Sequence, residues 1–134
     1  MSRIQKAFEN KKAFIAFLTA GDPSLDKTEE YILEMERAGA DLIEIGIPFS
    51  DPIAEGLVIQ EADIRALSGG VTTDDIFDMV KKLREKTEIP LVFMTYLNPV
   101  FHYGYEAFFE RCQDVGIDGI IIPDLPFELS LIHI

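Results

Sequence analysis

AGADLIEIGIPFSDP, residues 38–52, reads as a β-strand buried on both faces with one carboxylate set into it. Successive side chains of a strand point to opposite faces, so Leu42, Glu44 and Gly46 share one side and Ile43, Ile45 and Ile47 the other. The three isoleucines make a surface for helices to pack against. Glu44 is therefore expected to point away from the helices, into whatever the sheet encloses. A carboxylate in an apolar shell loses hydration, which favours its neutral form and moves its pKa toward the working range of a general acid or base. The plainer alternative is a structural Glu paired with Lys or Arg, and no basic residue lies near it in the sequence.

Three other runs share this apolar character: AFIAFL (13–18), LVFMTY (91–96) and IDGIII (117–122). Such runs fit strands of a parallel sheet, which are buried on both faces. Helical patterns lie between them. Residues 25–38 carry Tyr31, Ile32, Met35 and Ala38 at helical spacing, after the start signal Asp22-Pro23-Ser24 and before Gly39, which suits a left-handed C-cap. Residues 74–86 place Ile76, Phe77, Val80 and Leu83 on one stripe, with Thr72 or Thr73 as N-cap. Residues 105–115 do the same with Phe108, Phe109, Cys112 and Val115, ending at Gly116.

The alternation of strand and helix points to right-handed crossovers and a parallel sheet covered by helices. An internal echo supports it. AGADLIEIGIPFSDP and VGIDGIIIPDLPFE (115–128) both run Gly, small or apolar, Asp, buried strand, then an acidic loop punctuated by Pro. Repetition of this kind is expected of a (β/α) barrel, in which Glu44 would face the interior near the carboxyl end of its strand, where such barrels hold their chemistry. A doubly wound sheet also alternates, but no G-x-G-x-x-G follows the first strand. A full (β/α)8 barrel takes about 250 residues. With four strands and three to four helices in 134 residues, positions 1–128 are expected to form the N-terminal half of a barrel. LSLIHI, residues 129–134, breaks the helix-forming pattern that should follow the fourth strand and is expected to be a non-native tail.

The strand that holds Glu44 leaves through Pro48, turns at Asp51-Pro52 and enters a helix near Leu57 that carries Ile59, Ala62, Ile64 and Leu67. A second acid, Glu55, precedes Gly56 in that loop. A flexible loop can bring Glu55 over the barrel mouth opposite Glu44, and two carboxylates in different environments can divide proton donation and abstraction between them. The alternative for Glu55 is a solvated loop acid.

Composition bounds the partners. A formal charge of −12 argues against a nucleic-acid or anionic-membrane surface, which demands clustered Lys and Arg. No apolar run approaches a membrane span, and MSRIQKAFENKK has no uninterrupted apolar segment of a secretory signal, so the cytoplasm is the default expectation. The single cysteine, Cys112, reads as a core thiol in a helix, and with only His102 and His133 there is no Cys and His cluster for a metal.

Five segments together carry a family resemblance. FLTAGDP (17–23), IEIGIPFSDPIAEG (43–56), VIQEADIRAL (58–67), MTYLNPVFHYG (94–104) and IIPDLPFE (121–128) are similar, in order, to the tryptophan synthase alpha subunit. The E-I-G-x-P-F-S-D-P segment is the most specific of them. The resemblance implies a (β/α) barrel lyase that cleaves indole-3-glycerol phosphate by retro-aldol chemistry into indole and glyceraldehyde 3-phosphate. It implies no cofactor in this subunit and, as partner in an alpha2beta2 complex, a beta subunit that uses PLP to join indole to serine. It places Glu44 as the catalytic acid that protonates indole C3 and helps deprotonate the glycerol hydroxyl, and Glu55 as the second catalytic acid, against the indole N–H. It puts Phe17, Met94, Tyr96, Ile121 and Pro123 around the indole pocket. Asp51, Pro52, Asn98 and Pro99 match stretches that meet the beta subunit, and Asp124 an acid retained for structure and communication.

Each of these has a plainer reading: core residues for Phe17, Met94 and Ile121, a satisfied buried hydroxyl for Tyr96, turn residues for the interface positions. The chain departs from the family pattern in carrying Glu at position 55 where Asp is usual, and Leu57 where Pro is usual, which predicts a less rigid loop. The mobile loop and the phosphate-binding loops of the family belong to the other half of the barrel, so this half alone is expected to be inactive or nearly so. Two further readings compete: a non-catalytic interaction module that binds and activates a PLP-dependent beta-type partner, and an unrelated phosphate-binding barrel.

Overall fold

A computed structural model describes residues 2–52 and 54–125. Strands β1 (Ile15–Thr19), β2 (Leu42–Gly46), β3 (Leu91–Met94) and β4 (Gly119–Ile121) form one sheet, all neighbours parallel, in the order β1-β2-β3-β4. Helices α1 (Arg3–Ala7), α2 (Leu25–Arg37), α3 (Leu57–Ser68), α4 (Thr73–Arg84), α5 (Leu97–Tyr103) and α6 (Tyr105–Val115) complete the described elements. Sequential parallel order with helical crossovers is a partial (β/α) barrel, as the alternation of patterns predicts.

The helix-facing side of the sheet is the core. Ile43, Ile45, Leu91 and Phe93 are fully buried there against Ile32, Ile76, Phe77, Val80, Leu83 and Phe108. The rings of Phe77 and Phe93 meet edge to face at 5.7 Å, those of Phe77 and Phe108 at 5.4 Å, and Tyr103 joins at 5.6 Å from Phe77. This cluster fastens α4, α6 and the end of α5 to β3. Cys112 is buried in α6, and burial pushes its thiol up to about 12, the inert core thiol the sequence predicts. The helix ends also match: Ser24 caps α2, Thr72 forms a capping box with Asp75 at the start of α4, and Gly39 and Gly116 take positive φ, 115° and 91°, just past α2 and α6.

The echo between the two Gly-x-Asp-strand segments is a repeated device. Asp41 donates its backbone N–H to the Phe14 carbonyl at 2.8 Å, while its carboxylate accepts the Phe14 N–H at 2.8 Å. Asp118 does the same to Leu91, at 2.8 Å and 3.0 Å. Each aspartate thus closes a ring with the first residues of the neighbouring strand. Lys11 compensates Asp41 at the surface. Asp118 is compensated internally by Arg84 at 2.6 Å and, from α1, by Arg3 at 3.1 Å. Arg84 also donates to the carbonyls of Gly116 and Ile89, so one guanidinium joins the ends of α4 and α6 to the starts of β3 and β4.

Several expectations need correction. The helices α1 and α5 carry no amphipathic stretch long enough to be read, being 5 and 7 residues. The third strand ends at Met94 rather than Tyr96, because Tyr96 is already the N-cap of α5. In α3 the buried face is Ala62, Asp63 and Ala66, whereas Ile64 and Leu67 are 60% and 37% exposed; the small alanines, not the larger apolar residues, face inward, on a helix that packs against β1. The expected tail, residues 129–134, lies outside the described residues.

Replacing Asp118 by Ala should destabilise the fold by about 3–5 kcal/mol, because it leaves Arg84 buried and uncompensated. Asp41→Ala should cost less, since its Lys11 partner is exposed and can solvate. Urea denaturation of the two variants checks this; equal losses would show that the buried guanidinium does not depend on Asp118.

Candidate active site

The second side of the sheet carries the predicted chemistry. Phe17, Glu44 and Val92 lie side by side in register on β1, β2 and β3, and Gly46, Met94 and Ile121 follow near the strand ends. Glu44 therefore points to the inner face, as the alternation of LIEIGI requires. The position opposite Thr19 in β2 is glycine, and a side chain there would displace the Phe17 ring. A Cβ at Gly46 would stand 2.7 Å from Cζ of Phe17, so the ring leans across the gap left beside Glu44.

Glu44 is half-buried and, among the described residues, takes part in no ion pair. The structural alternative, a Glu tied to Lys or Arg, thus finds no partner here. The complete apolar shell expected around it is also not seen. The inner face is open at its flanks, with Ile15 44% and Ile121 42% exposed.

The loop after β2 is fastened to the end of β3. Phe49 packs on the Tyr96 ring at 5.5 Å, and the Ala54 N–H donates to the Tyr96 hydroxyl at 2.9 Å. Tyr96 is buried, so its role here is to hold the loop. The Gln60 side chain in the first turn of α3 donates to the Glu55 carbonyl at 2.8 Å. Glu55 is thereby placed just ahead of the helix N-cap Gly56, with its Oε2 buried and without a hydrogen-bond partner.

Its neighbour is an acid that sequence reasoning missed. Asp63, on the buried face of α3, is only 4% exposed. Burial, then the adjacent Glu55 charge, pushes its carboxyl up to about 7, against the pull of the Phe49 backbone N–H. Burial raises Glu55 as well. The signal was available: positions 59, 62, 63 and 66 are the helical spacing of one face, which puts Asp63 on the inward stripe.

The remaining predicted residues divide. Phe17, Met94 and Ile121 share the inner face with Glu44, whereas Pro123 is exposed in the turn after β4. Asp51 is exposed and accepts from the Ser50 hydroxyl at 2.9 Å, and Pro52 is half-buried. Asn98 and Pro99, in the first turn of α5, line an open pocket of about 270 Å³ with Phe49, Thr73, His102 and Tyr103. Asp124 accepts the Leu97 N–H at 2.8 Å and so pins the start of α5 to the loop after β4. Among the described residues no cluster of His, Cys, Asp and Glu is built to hold a metal.

Comparison with known proteins gives one family. The family model "Tryptophan synthase alpha chain" matches residues 4–131. The tryptophan synthase alpha chain of Alkaliphilus metalliredigens is 60% identical over 119 residues, 89% of this chain and 45% of that protein. That of Caldanaerobacter subterraneus is 51% identical over 133 residues, 96% of this chain and 51% of that protein. Among solved structures, tryptophan synthase subunit alpha from Legionella pneumophila superposes with a TM-score of 0.91 at 43% identity, covering 96% of this chain and 51% of that one. A chain of the tryptophan synthase a2b2 complex of Pyrococcus furiosus gives 0.81 at 43% identity, covering 85% and 46%. The chain spans about half the length of the relatives it matches.

The raised Asp63 has a consequence for stability. The unfolded carboxyl ionises near 3.8 and the folded one near 7, so stability should fall as pH rises through that window and level off above it. Urea midpoints at pH 5 and pH 8 should differ more in the wild type than in Asp63→Asn. An identical difference in both would place the pH dependence in other groups.

Proposed function

The chain belongs to the tryptophan synthase alpha chain family, and on that premise we propose that the complete protein cleaves indole-3-glycerol phosphate to indole and glyceraldehyde 3-phosphate. The observation that carries this reading is Glu44, which takes part in no ion pair among the described residues, on the inner face near the strand end, beside Phe17 and Met94. Glu44 in its acid form gives its proton to indole C3, which makes that carbon tetrahedral. The bond from C3 to the glycerol carbon then breaks, its electrons return to the indole ring, and the carboxylate takes the hydroxyl proton as the aldehyde forms. The proton count closes on one residue. Positive charge develops at the indole nitrogen as C3 is protonated, and Glu55 is the group placed to accept the indole N–H and stabilise that charge.

Phe17, Met94 and Ile121 supply apolar surface for the indole ring, with Tyr96 acting through the loop it holds. Pro123 joins them as a lining residue at the mouth. The exposed Asp51, with Pro52, and the pocket beside Asn98 and Pro99 lie at one end of the sheet and form the surface proposed to meet a beta subunit, whose own PLP joins the released indole to serine. This chain's residues require no cofactor for the cleavage. A cytoplasmic site of action is part of the same reading. Among the described residues no helix is long and apolar enough to cross a membrane.

The reading is tested in the complete protein. Glu44→Gln should lower the rate of indole release by about 10²–10⁴-fold, the contribution of a positioned general acid and base, while leaving the activation of beta-subunit serine turnover intact. A Glu44→Gln protein that releases indole at the wild-type rate excludes the catalytic assignment. Wild-type protein that activates the beta subunit but never releases indole would instead support the non-catalytic module.

A further inference from the structure

Glu55 Oε2 is buried and has no donor, an arrangement that a folded protein rarely leaves uncorrected. The group beside it is another carboxyl, Asp63, itself more deeply buried and carried on the rigid inner face of α3 between Ala62 and Ala66. Among the described residues no cation compensates the pair. Arg65, two positions on, is spent at the surface on Asp22, which it meets with two hydrogen bonds of 3.0 Å. From β1, which α3 packs against, the buried polar group is the Thr19 hydroxyl, also without a partner among the described residues. From the loop, the groups are Glu55 itself and the Phe49 N–H. The Tyr96 hydroxyl accepts from the Ala54 N–H, and Glu61 is exposed. Two adjacent buried carboxyls without a cation cannot both ionise, so one must keep its proton.

We infer that Asp63 is a positioning residue for Glu55: it remains a neutral acid whose O–H donates to Glu55 Oε2, which fixes the arm of Glu55 and leaves Oε1 free to accept the indole N–H. The deeper group keeps the proton and the wetter group the charge, because desolvation penalises ionisation more where burial is greater. The pair carries one negative charge, so the charge that faces substrate is Glu55. The Glu55 side chain is a long arm with freely rotating bonds, and a donor at its far oxygen removes that freedom. This inference rests on the role of Glu55 proposed above.

The test compares Asp63→Asn, which retains a donor at every pH, with Asp63→Ala, which has none. In the complete protein, kcat/KM for indole release should fall about 10- to 100-fold in Asp63→Ala, the change expected for a lost hydrogen bond to a charged group. Asp63→Asn should recover most of it. The wild type should also lose kcat/KM as pH rises through about 7, when Asp63 gives up its proton, and Asp63→Asn should lack that limb. Equal impairment in the two variants, or the same alkaline limb in Asp63→Asn, would overturn the inference and leave Asp63 a packing residue. Carbon-13 carboxyl NMR separates this failure from failure of the proposed reaction, since it needs no turnover. The Asp63 titration midpoint should lie near 7 and move down in Glu55→Gln; an unmoved midpoint means the two carboxyls do not share a proton.

Discussion

Two aspartates fix the starts of two of the three strand pairings, β1 with β2 and β3 with β4, and the placement of groups on the inner face follows from the register of those pairings. Asp41 grips Phe14, the residue just before β1, and Asp118 grips Leu91, the first residue of β3, each through both the N–H and the carbonyl at 2.8 Å to 3.0 Å. A slip of one residue in β2 would turn Glu44 onto the helix side and Ile43 or Ile45 onto the inner face, because side chains alternate with period two. Apolar patterning opposes such a slip by its burial term alone. The clamps add a directional constraint at the end of the strand where no catalytic group is found. The strands are short, three to five residues, so a defined starting point matters more than it would in a long ladder.

The same separation runs through the whole molecule. At the N-terminal ends of the strands, charges are paired and bonded: Arg84 with Asp118, Arg3 with Glu88, Lys11 with Asp41. At the carboxyl ends, Asp22 is paired at the surface with Arg65, but among the described residues Glu44 takes part in no ion pair, and Glu55 and Asp63 lie beside each other without a cation. Paired ions stabilise a fold and are chemically quiet. Unpaired buried acids cost stability and hold protons that can be moved, which is the property a proton-transfer site requires. The distribution of compensation thus distinguishes the two ends of the sheet without reference to any substrate.

Much of this was legible in the residues. Four apolar runs correspond to four strands, three periodic stretches to α2, α4 and α6, and alternation within LIEIGI alone places Glu44 inward. What escaped has physical reasons. The helix α1 is a single turn stabilised by a capping box of Ser2 and Gln5, and its apolar content is too small to show a period. α5 begins at the end of what reads as a continuous strand, and its start is satisfied by Asp124, 27 residues away, which no local pattern reveals. Asp63 was overlooked because a charged residue within a helix reads as solvent-facing. Attention to Ile64 and Leu67 then assigned the wrong stripe, though both are substantially exposed. The spacing 59, 62, 63 and 66 names the stripe that the packed helix turns inward, small residues rather than the larger apolar ones.

The loop that carries Glu55 shows how a local departure can be offset at a distance. A proline at position 57 would fix φ at the first position of α3 and stiffen the entry to the helix. Leu57 does neither; its side chain is 68% exposed, and the N-cap, Gly56, makes no side-chain bond. From these residues alone the loop should be loose. Its order comes instead from three contacts made elsewhere: the Phe49 ring on Tyr96, the Tyr96 hydroxyl on the Ala54 N–H, and the Gln60 amide on the Glu55 carbonyl. The first two anchor the loop to the end of β3, whose register is itself set by Asp118, so the placement of Glu55 depends on the clamp at the opposite end of the sheet. Rigidity near the site therefore need not reside in the residues next to the acid. It comes here from contacts to the end of β3, which hold the entry to α3 although position 57 is Leu.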